Sequence, residues 1–271
     1  MISNLQNLVF TIAVTLICRA FALRDKLLGR LRHRKRIIGV QIYRHEILRE
    51  THTLDSVFVS PVQSPTAALL ICHGIGEVVE NWQAAQQLLA LHGVASLVFD
   101  YSGFGKSGRG VDWRACEDDA VSAFSLLQTL VPGVPMTLLG FSMGSGIAGA
   151  ILNRVSPAQL ILCSAFTSFR DAACVLGLPR PFARVLPPIW SANETLSNCS
   201  LPVLVVHCAR DRAFPVRMAR ELASLCDPKA ELVIVPEQAH NEAFYDPKLS
   251  YWHYVLDHIA SDGSHSPGTS T

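Results

Sequence analysis

Charge is scarce in this chain, and what there is nearly cancels. Charged residues make up 17% of the 271 positions and the formal net charge is +1, against roughly one quarter charged in an average soluble domain. A nucleic-acid binder usually carries a broad basic face, so this balance argues against that class. No Cys-x-x-Cys occurs among the eight cysteines. Cys72-His73 and His207-Cys208 are strand neighbours, and strand neighbours point to opposite faces, so neither pair can chelate one ion. Metal binding is therefore set aside. No internal repeat is visible. What the chain has in quantity is apolar surface, 49% of its residues, enough at this length to bury a core without disulfides or metals. Cys72, Cys163 and Cys208 lie in apolar runs, where a free cysteine behaves as a small hydrophobe, as expected of a reducing compartment.

The charges are also unevenly placed. Residues 1–36 hold eight of the 23 Lys and Arg and one of the 22 acids, which leaves 15 bases against 21 acids in the remainder. Residues 1–18 carry no charged side chain, and residues 8–23 are apolar apart from Thr11, Thr15 and Arg19. A full membrane span needs about 20 apolar residues, so this stretch is borderline. Ala20-Phe21-Ala22 mimics a signal-peptidase site, but the n-region ahead of the apolar stretch has no Lys or Arg. The cations Arg24, Lys26, Arg30, Arg32, Arg34, Lys35 and Arg36 follow instead, which by the positive-inside rule predicts a body held on the cytoplasmic side of a membrane. Leu23, Leu27, Leu28 and Leu31 share one helical face, as in an interfacial helix. Residues 8–36 are thus read as a membrane-associating segment, the alternative being an amphipathic helix packed on the body.

The remainder alternates strands and helices. Residues 40–49 and 54–60 predict an early strand pair. Continuous apolar runs at 67–73, 94–100 and 136–141 mark strands buried on both faces, and 159–165, 203–208 and 231–236 predict three more. Helical patterns fall at 81–92, 113–131 and 143–155. Such alternation implies an α/β domain with a mainly parallel sheet covered on both faces. Residues 166–200, with Pro179, Pro181, Pro187 and Pro188 among apolar neighbours, read as a short lid. Residues 261–271 are rich in Ser, Gly, Pro and Thr and read as a disordered tail. The organisation is then 1–36, an α/β body at 37–260, and the tail.

Chemistry concentrates at strand ends. Gly140-Phe141-Ser142-Met143-Gly144 is a G-x-S-x-G between a buried strand and a small-residue helix, the setting of a nucleophile elbow. The helix N-terminus brings a backbone N–H and a positive dipole to the serine. Serine needs a base held by an acid, and in this architecture acid and histidine follow the serine in that order. Asp211, after the 203–208 run, and His240, after the 231–236 run, meet that requirement at the edge where open α/β sheets build sites. Asp227 competes for the acid role but sits in a Cys-Asp-Pro turn. An oxyanion hole needs two donors. The N–H of Met143 is one candidate, and that of Ile75, in His73-Gly74-Ile75-Gly76, is the other. His73 is read as a structural bridge between loops.

The combination resembles the α/β-hydrolases of the serine aminopeptidase S33, or hydrolase-4, type. The resemblance runs over about 67–260 and rests on His73-Gly74, the Asp100-Tyr101-Ser102-Gly103-Phe104-Gly105-Lys106-Ser107-Gly108 loop, the Ser142 elbow, residues 164–171, Asp211 and Ala239-His240-Asn241. It is similar above all to the ABHD13/ABHD17-like branch, which includes membrane-tethered depalmitoylases, although the cysteine-rich N-terminal cluster of those enzymes is missing here. The resemblance implies the α/β-hydrolase fold, no catalytic role for Asp100, and no metal or organic cofactor. The expected activity is hydrolysis of a carboxylic ester or thioester with an apolar acyl group. An S33-type aminopeptidase is the rival within enzymes; its larger acidic cap is not matched by a lid whose acids are Asp171 and Glu194. A non-catalytic lipid- or partner-binding module of the same fold is the rival from outside them, and it would be expected to lose a triad residue.

Overall fold

The computed structural model describes residues 2–27, 37–108, 110–226 and 228–261. In chain order the elements are α1 (Ile2–Leu27), β1 (Val40–Leu48), β2 (Thr53–Pro61), β3 (Ala67–Cys72), α2 (Val79–Leu91), β4 (Val94–Phe99), α3 (Trp113–Leu130), β5 (Met136–Phe141) and α4 (Met143–Ile151). They continue with β6 (Gln159–Cys163), α5 (Phe169–Val175), α6 (Arg180–Ala183), α7 (Ala192–Leu196), β7 (Val203–Cys208), α8 (Val216–Leu225), β8 (Ala230–Val235), α9 (Glu242–Tyr245) and α10 (Leu249–Ala260).

The apolar runs form strands because both of their faces find cover. Every residue of β3, β4, β5 and β7 is buried. Alternate residues serve opposite cores: Ala68, Leu70 and Cys72 join Phe124, Ile147 and Leu138 on one side, whereas Leu69 and Ile71 join Trp82, Leu139 and Trp252 on the other. The strands make one eight-stranded sheet in the order β1-β2-β4-β3-β5-β6-β7-β8. β2 runs antiparallel to β1 and β4, and the remaining neighbours are parallel. This is the α/β-hydrolase fold, as the alternation and the resemblance predict.

The chain crosses from β4 on one side of β3 to β5 on the other, and such a reversal opens a crevice at the strands' carboxyl ends. Cys72 pairs with Gly140 across β3 and β5, so the loops following both strands emerge side by side.

Two parts differ from their sequence reading in detail. Residues 166–200, read from the sequence as a lid, hold three short helices, α5 to α7, and their apolar residues divide: Leu186, Ile189 and Trp190 are buried, while Leu176, Phe182 and Val185 face outward. The N-terminal segment packs on the body through α1, with Phe10 and Val14 in the same core as the sheet. Among the described residues no helix is long and apolar enough to cross a membrane. Leu28, Leu31 and the cations from Arg30 to Arg36, together with Asp227 and residues 262–271, lie outside the described residues.

Candidate active site

Ser142 leaves β5 with φ 51° and ψ −118°, a left-handed conformation that a side-chain-bearing residue adopts only when its surroundings force it. Here the force is steric and local. A Cβ on Gly144 would stand 1.9 Å from the Cys72 carbonyl oxygen, and one on Gly140 would stand 2.5 Å from Ser145 Cα. Gly144 is needed for the turn to close against β3, and Gly140 for α4 to close on β5. The Ser142 N–H donates to the Cys163 carbonyl (3.0 Å), and the Ser145 hydroxyl donates to the Ser142 carbonyl (2.6 Å). The result is a serine held in one pose at the start of α4 and only 5% exposed.

His240 and Asp211 converge on it from the loops after β8 and β7. His240 Nε2 lies 3.1 Å from Ser142 Oγ, and His240 Nδ1 lies 2.6 Å from Asp211 Oδ2. The Nδ1–H donates to the carboxylate, leaving the Nε2 lone pair directed at the hydroxyl. Asp211 Oδ1 accepts the N–H groups of Ala213 (2.8 Å) and Phe214 (2.9 Å). The two loops are tied to each other by the Arg210 N–H donating to the Gln238 carbonyl. The rings of Phe141 and Phe214 flank the imidazole, with centroids 5.2 and 5.5 Å away. Burial alone would raise the Asp211 carboxyl, but the His240 hydrogen bond and charge and the Phe214 N–H together hold it below its ordinary range.

The two candidate oxyanion donors follow the neighbouring strands β3 and β5. Met143 is the first residue of α4, and the first N–H groups of a helix have no acceptor within it. The Ile75 loop is shaped by two groups. His73 Nδ1–H donates to the Gly74 carbonyl (2.8 Å), and burial pushes this imidazole down to about 4, so it is neutral and structural. Glu77, almost fully buried, accepts the Gly74 N–H and the Trp82 indole N–H, each at 2.9 Å. Asp100 is structural too: its carboxylate accepts the Val79 and Lys106 N–H groups.

Sequence reasoning missed two of the residues that set this geometry. Glu77 was one. The other was His207, whose Nε2–H donates to the Phe214 carbonyl (3.0 Å) and fastens the Asp211 loop to β7. A polar residue inside the unbroken apolar run of β7 was the available signal for His207. Glu77 carried none, because its partner Trp82 is recognisable only once α2 is folded.

Comparison with known proteins agrees with the fold. The family model described as serine aminopeptidase, S33 (Hydrolase_4) matches residues 63–200, which include Ile75, Ser142 and Met143 and stop before Asp211 and His240. An uncharacterized protein of Mycobacterium tuberculosis is 29% identical over 196 residues, 71% of this chain and 68% of its own. The lysophosphatidylserine lipase ABHD12 of Danio rerio is 26% identical over 235 residues, 77% of this chain. This chain covers 59% of the lipase's length. Among solved structures, an esterase from Pyrococcus furiosus superposes with a TM-score of 0.65 at 19% identity, covering 83% of this chain and 95% of that one. The esterase shares the fold and the family match spans just over half of the sequence, so the chain belongs to the serine aminopeptidase S33 family of α/β-hydrolases.

Proposed function

We propose that the protein is a serine hydrolase that cleaves a carboxylic ester or thioester with an apolar acyl group through Ser142, His240 and Asp211. The observation that carries this reading is the continuous hydrogen-bond line from Asp211 through His240 to Ser142 Oγ. In the reaction Oγ attacks the acyl carbonyl carbon while His240 Nε2 takes its proton. Asp211 keeps the imidazole in the tautomer that can accept that proton and stabilises the imidazolium that results. The carbonyl oxygen, now an anion, is held by the Met143 and Ile75 N–H groups. His240 then returns the proton to the departing alcohol or thiol. Water, activated by the same histidine, releases the acid from the acyl-enzyme.

An apolar acyl group suits the surroundings. Phe141 and Phe214 border His240, and Phe166 packs on Phe214 at 5.6 Å. The lipase and esterase relatives support an ester of lipid or small-molecule type. The test is covalent labelling by a fluorophosphonate followed by a substrate panel. Labelling at Ser142, abolished in Ser142→Ala, with turnover of acyl p-nitrophenyl esters above that of aminoacyl arylamides, is the expected result. A preference for the arylamides would make the enzyme an aminopeptidase. No labelling of the intact protein would leave a binding module.

A further inference from the structure

We infer that α1 lies flat on an anionic lipid surface and holds the mouth of the active site against it. This refines the hydrolase reading by stating where a lipid substrate would enter, but it is tested without turnover. The helix has two opposed faces. At about 100° per residue, Phe10 and Val14 point into the body, while Leu5, Leu8, Ile12, Leu16 and Leu23 form a narrow stripe on the far side. Each stripe residue is more than half exposed, whereas Phe10 and Val14 are buried. A single row of large apolar residues on one helix, left in water, is the pattern of an in-plane helix. Arg19, also exposed, sits within the stripe, where its long stem can reach headgroups.

The position of α1 gives the stripe its meaning. At one end Phe10 meets Phe169 (5.2 Å) and Trp190 (5.8 Å) of the lid region. Trp190 in turn abuts Gly146 of α4, one turn beyond the nucleophile. At the other end Cys18 lies against the Gly76 N–H, beside the Ile75 donor; burial pushes its thiol up to about 11. Thr11 donates to the Val111 carbonyl between them (2.7 Å). The helix therefore runs along the carboxyl edge of the sheet, across the site.

Charge selects the occupant. Gln6 of α1 and Arg170 of α5 donate to the same Leu186 carbonyl, so the lid adjoins the helix. There Arg170, Arg180 and Arg184 line a cleft of about 400 Å³, next to the outward-facing Phe182 and Val185. Asp171 shares the cleft, with its carboxylate engaged by Ser168 and Thr167. By sequence, seven further cations follow Arg19 within residues 24–36, with Asp25 the only acid. Apolar side chains flanked by arginines on both elements fit the acyl–headgroup boundary of an anionic membrane.

The experiment sediments the full chain with phosphatidylcholine vesicles that contain or lack phosphatidylglycerol. Binding to the anionic vesicles, weakened by salt, is expected. Leu8→Glu/Ile12→Glu/Leu16→Glu should lower that partitioning about a hundredfold or more. Arg180→Ser/Arg184→Ser, on the exposed lid surface, should lower it about tenfold or more. Thermal unfolding like that of the wild type establishes that either variant is folded, and the arginine pair decides the matter if the triple variant is not. Equal binding to both vesicle types, or undiminished binding by folded variants, overturns the proposal. So does a wild-type dimer that ignores vesicles and becomes monomeric on substitution of the stripe, since the occupant is then a second copy.

Discussion

The inner and outer parts of the sheet's carboxyl edge are built on opposite principles. Inside, Ser142, Asp211 and His240 sit among aromatic rings, buried strands and glycines with no room for a methyl group. Outside, α1 and the 166–200 segment leave leucines, isoleucine, phenylalanine and arginines exposed. The inner part repays rigidity, because a misplacement of a single ångström at a reacting group can cost two orders of magnitude in rate. The outer part instead repeats large apolar and basic side chains over an area of surface.

The sharpest way to break this contrast is to remove the inner groups. Ser142→Ala and His240→Ala should each lower ester kcat by about three orders of magnitude or more, and Asp211→Asn by nearly as much. Stopped-flow or steady-state assays on a soluble p-nitrophenyl ester check this. A comparable loss in the folded Leu8→Glu/Ile12→Glu/Leu16→Glu protein would erase the distinction.

A methyl group at the elbow should come next. Gly144→Ala drives a Cβ into the Cys72 carbonyl, a backbone atom that cannot step aside. A loss of about 3 kcal/mol in unfolding free energy is expected, read from urea titrations. Gly133→Ala is the weaker comparison: its Cβ would meet nothing within 4 Å, although its φ of +78° strains any side chain.

Acid should find the buried interior as well. His73 and His258, both pushed down from 6.5 to about 4 by burial, stay neutral in the folded protein while their unfolded counterparts take up protons below pH 6.5. Both therefore contribute stability that is lost as the pH falls from 6.5 toward 4. Asp100, pushed up from 3.8 to about 7 by burial, acts in the opposite sense over the same window, since only its folded form holds the proton. His207 is pushed down by burial as well, while burial pushes Glu117 and Asp119 up, so the histidine and carboxyl contributions oppose one another in this window. His258→Gln removes one histidine share and should make the loss of stability on acidification shallower by up to about 1.4 kcal/mol per pH unit, which melting curves of the variant and the wild type between pH 7 and pH 4 measure.

The smallest effect sharpens the apolar character of the site. Each methylene added to the acyl chain of a p-nitrophenyl ester should contribute about 0.8 kcal/mol, close to fourfold in kcat/KM, until the available apolar surface is filled. A series flat from acetyl onward would show that the acyl group stays in water.

How much of this was legible beforehand follows from the range of the forces involved. The Ala67–Cys72, Met136–Phe141 and Val203–Cys208 strands could be read directly, because a strand covered on both faces is apolar at every position and the pattern is local. The Ser142 elbow could be read for the same reason: the strand, the tight turn and the small-residue helix are consecutive. Asp211 and His240 could be named as candidates from chain order and from their places after strands. The hydrogen bonds that join Asp211 to His240 and His240 to Ser142 span 29 and 98 residues, and no pattern in the sequence measures those distances.

What only the tertiary structure decided is of that longer-range kind. Composition marked residues 1–36 as apolar and basic, yet it could not say which side of the helix would face protein. That choice belongs to Phe169 and Trp190, more than 150 positions away, whose rings receive Phe10. Gly146 looked like one small residue among several until Trp190 was found against it. Glu77 and His207 are the exception in range, since Gly74, Trp82 and Phe214 lie only three to seven positions from them, but those hydrogen bonds exist only once the turns between the partners have closed. Local pattern determines which segments must be buried, since burial of a strand or a helix face is a property of its own residues. Packing determines what each buried face meets, since that depends on surfaces that exist only after the sheet has assembled.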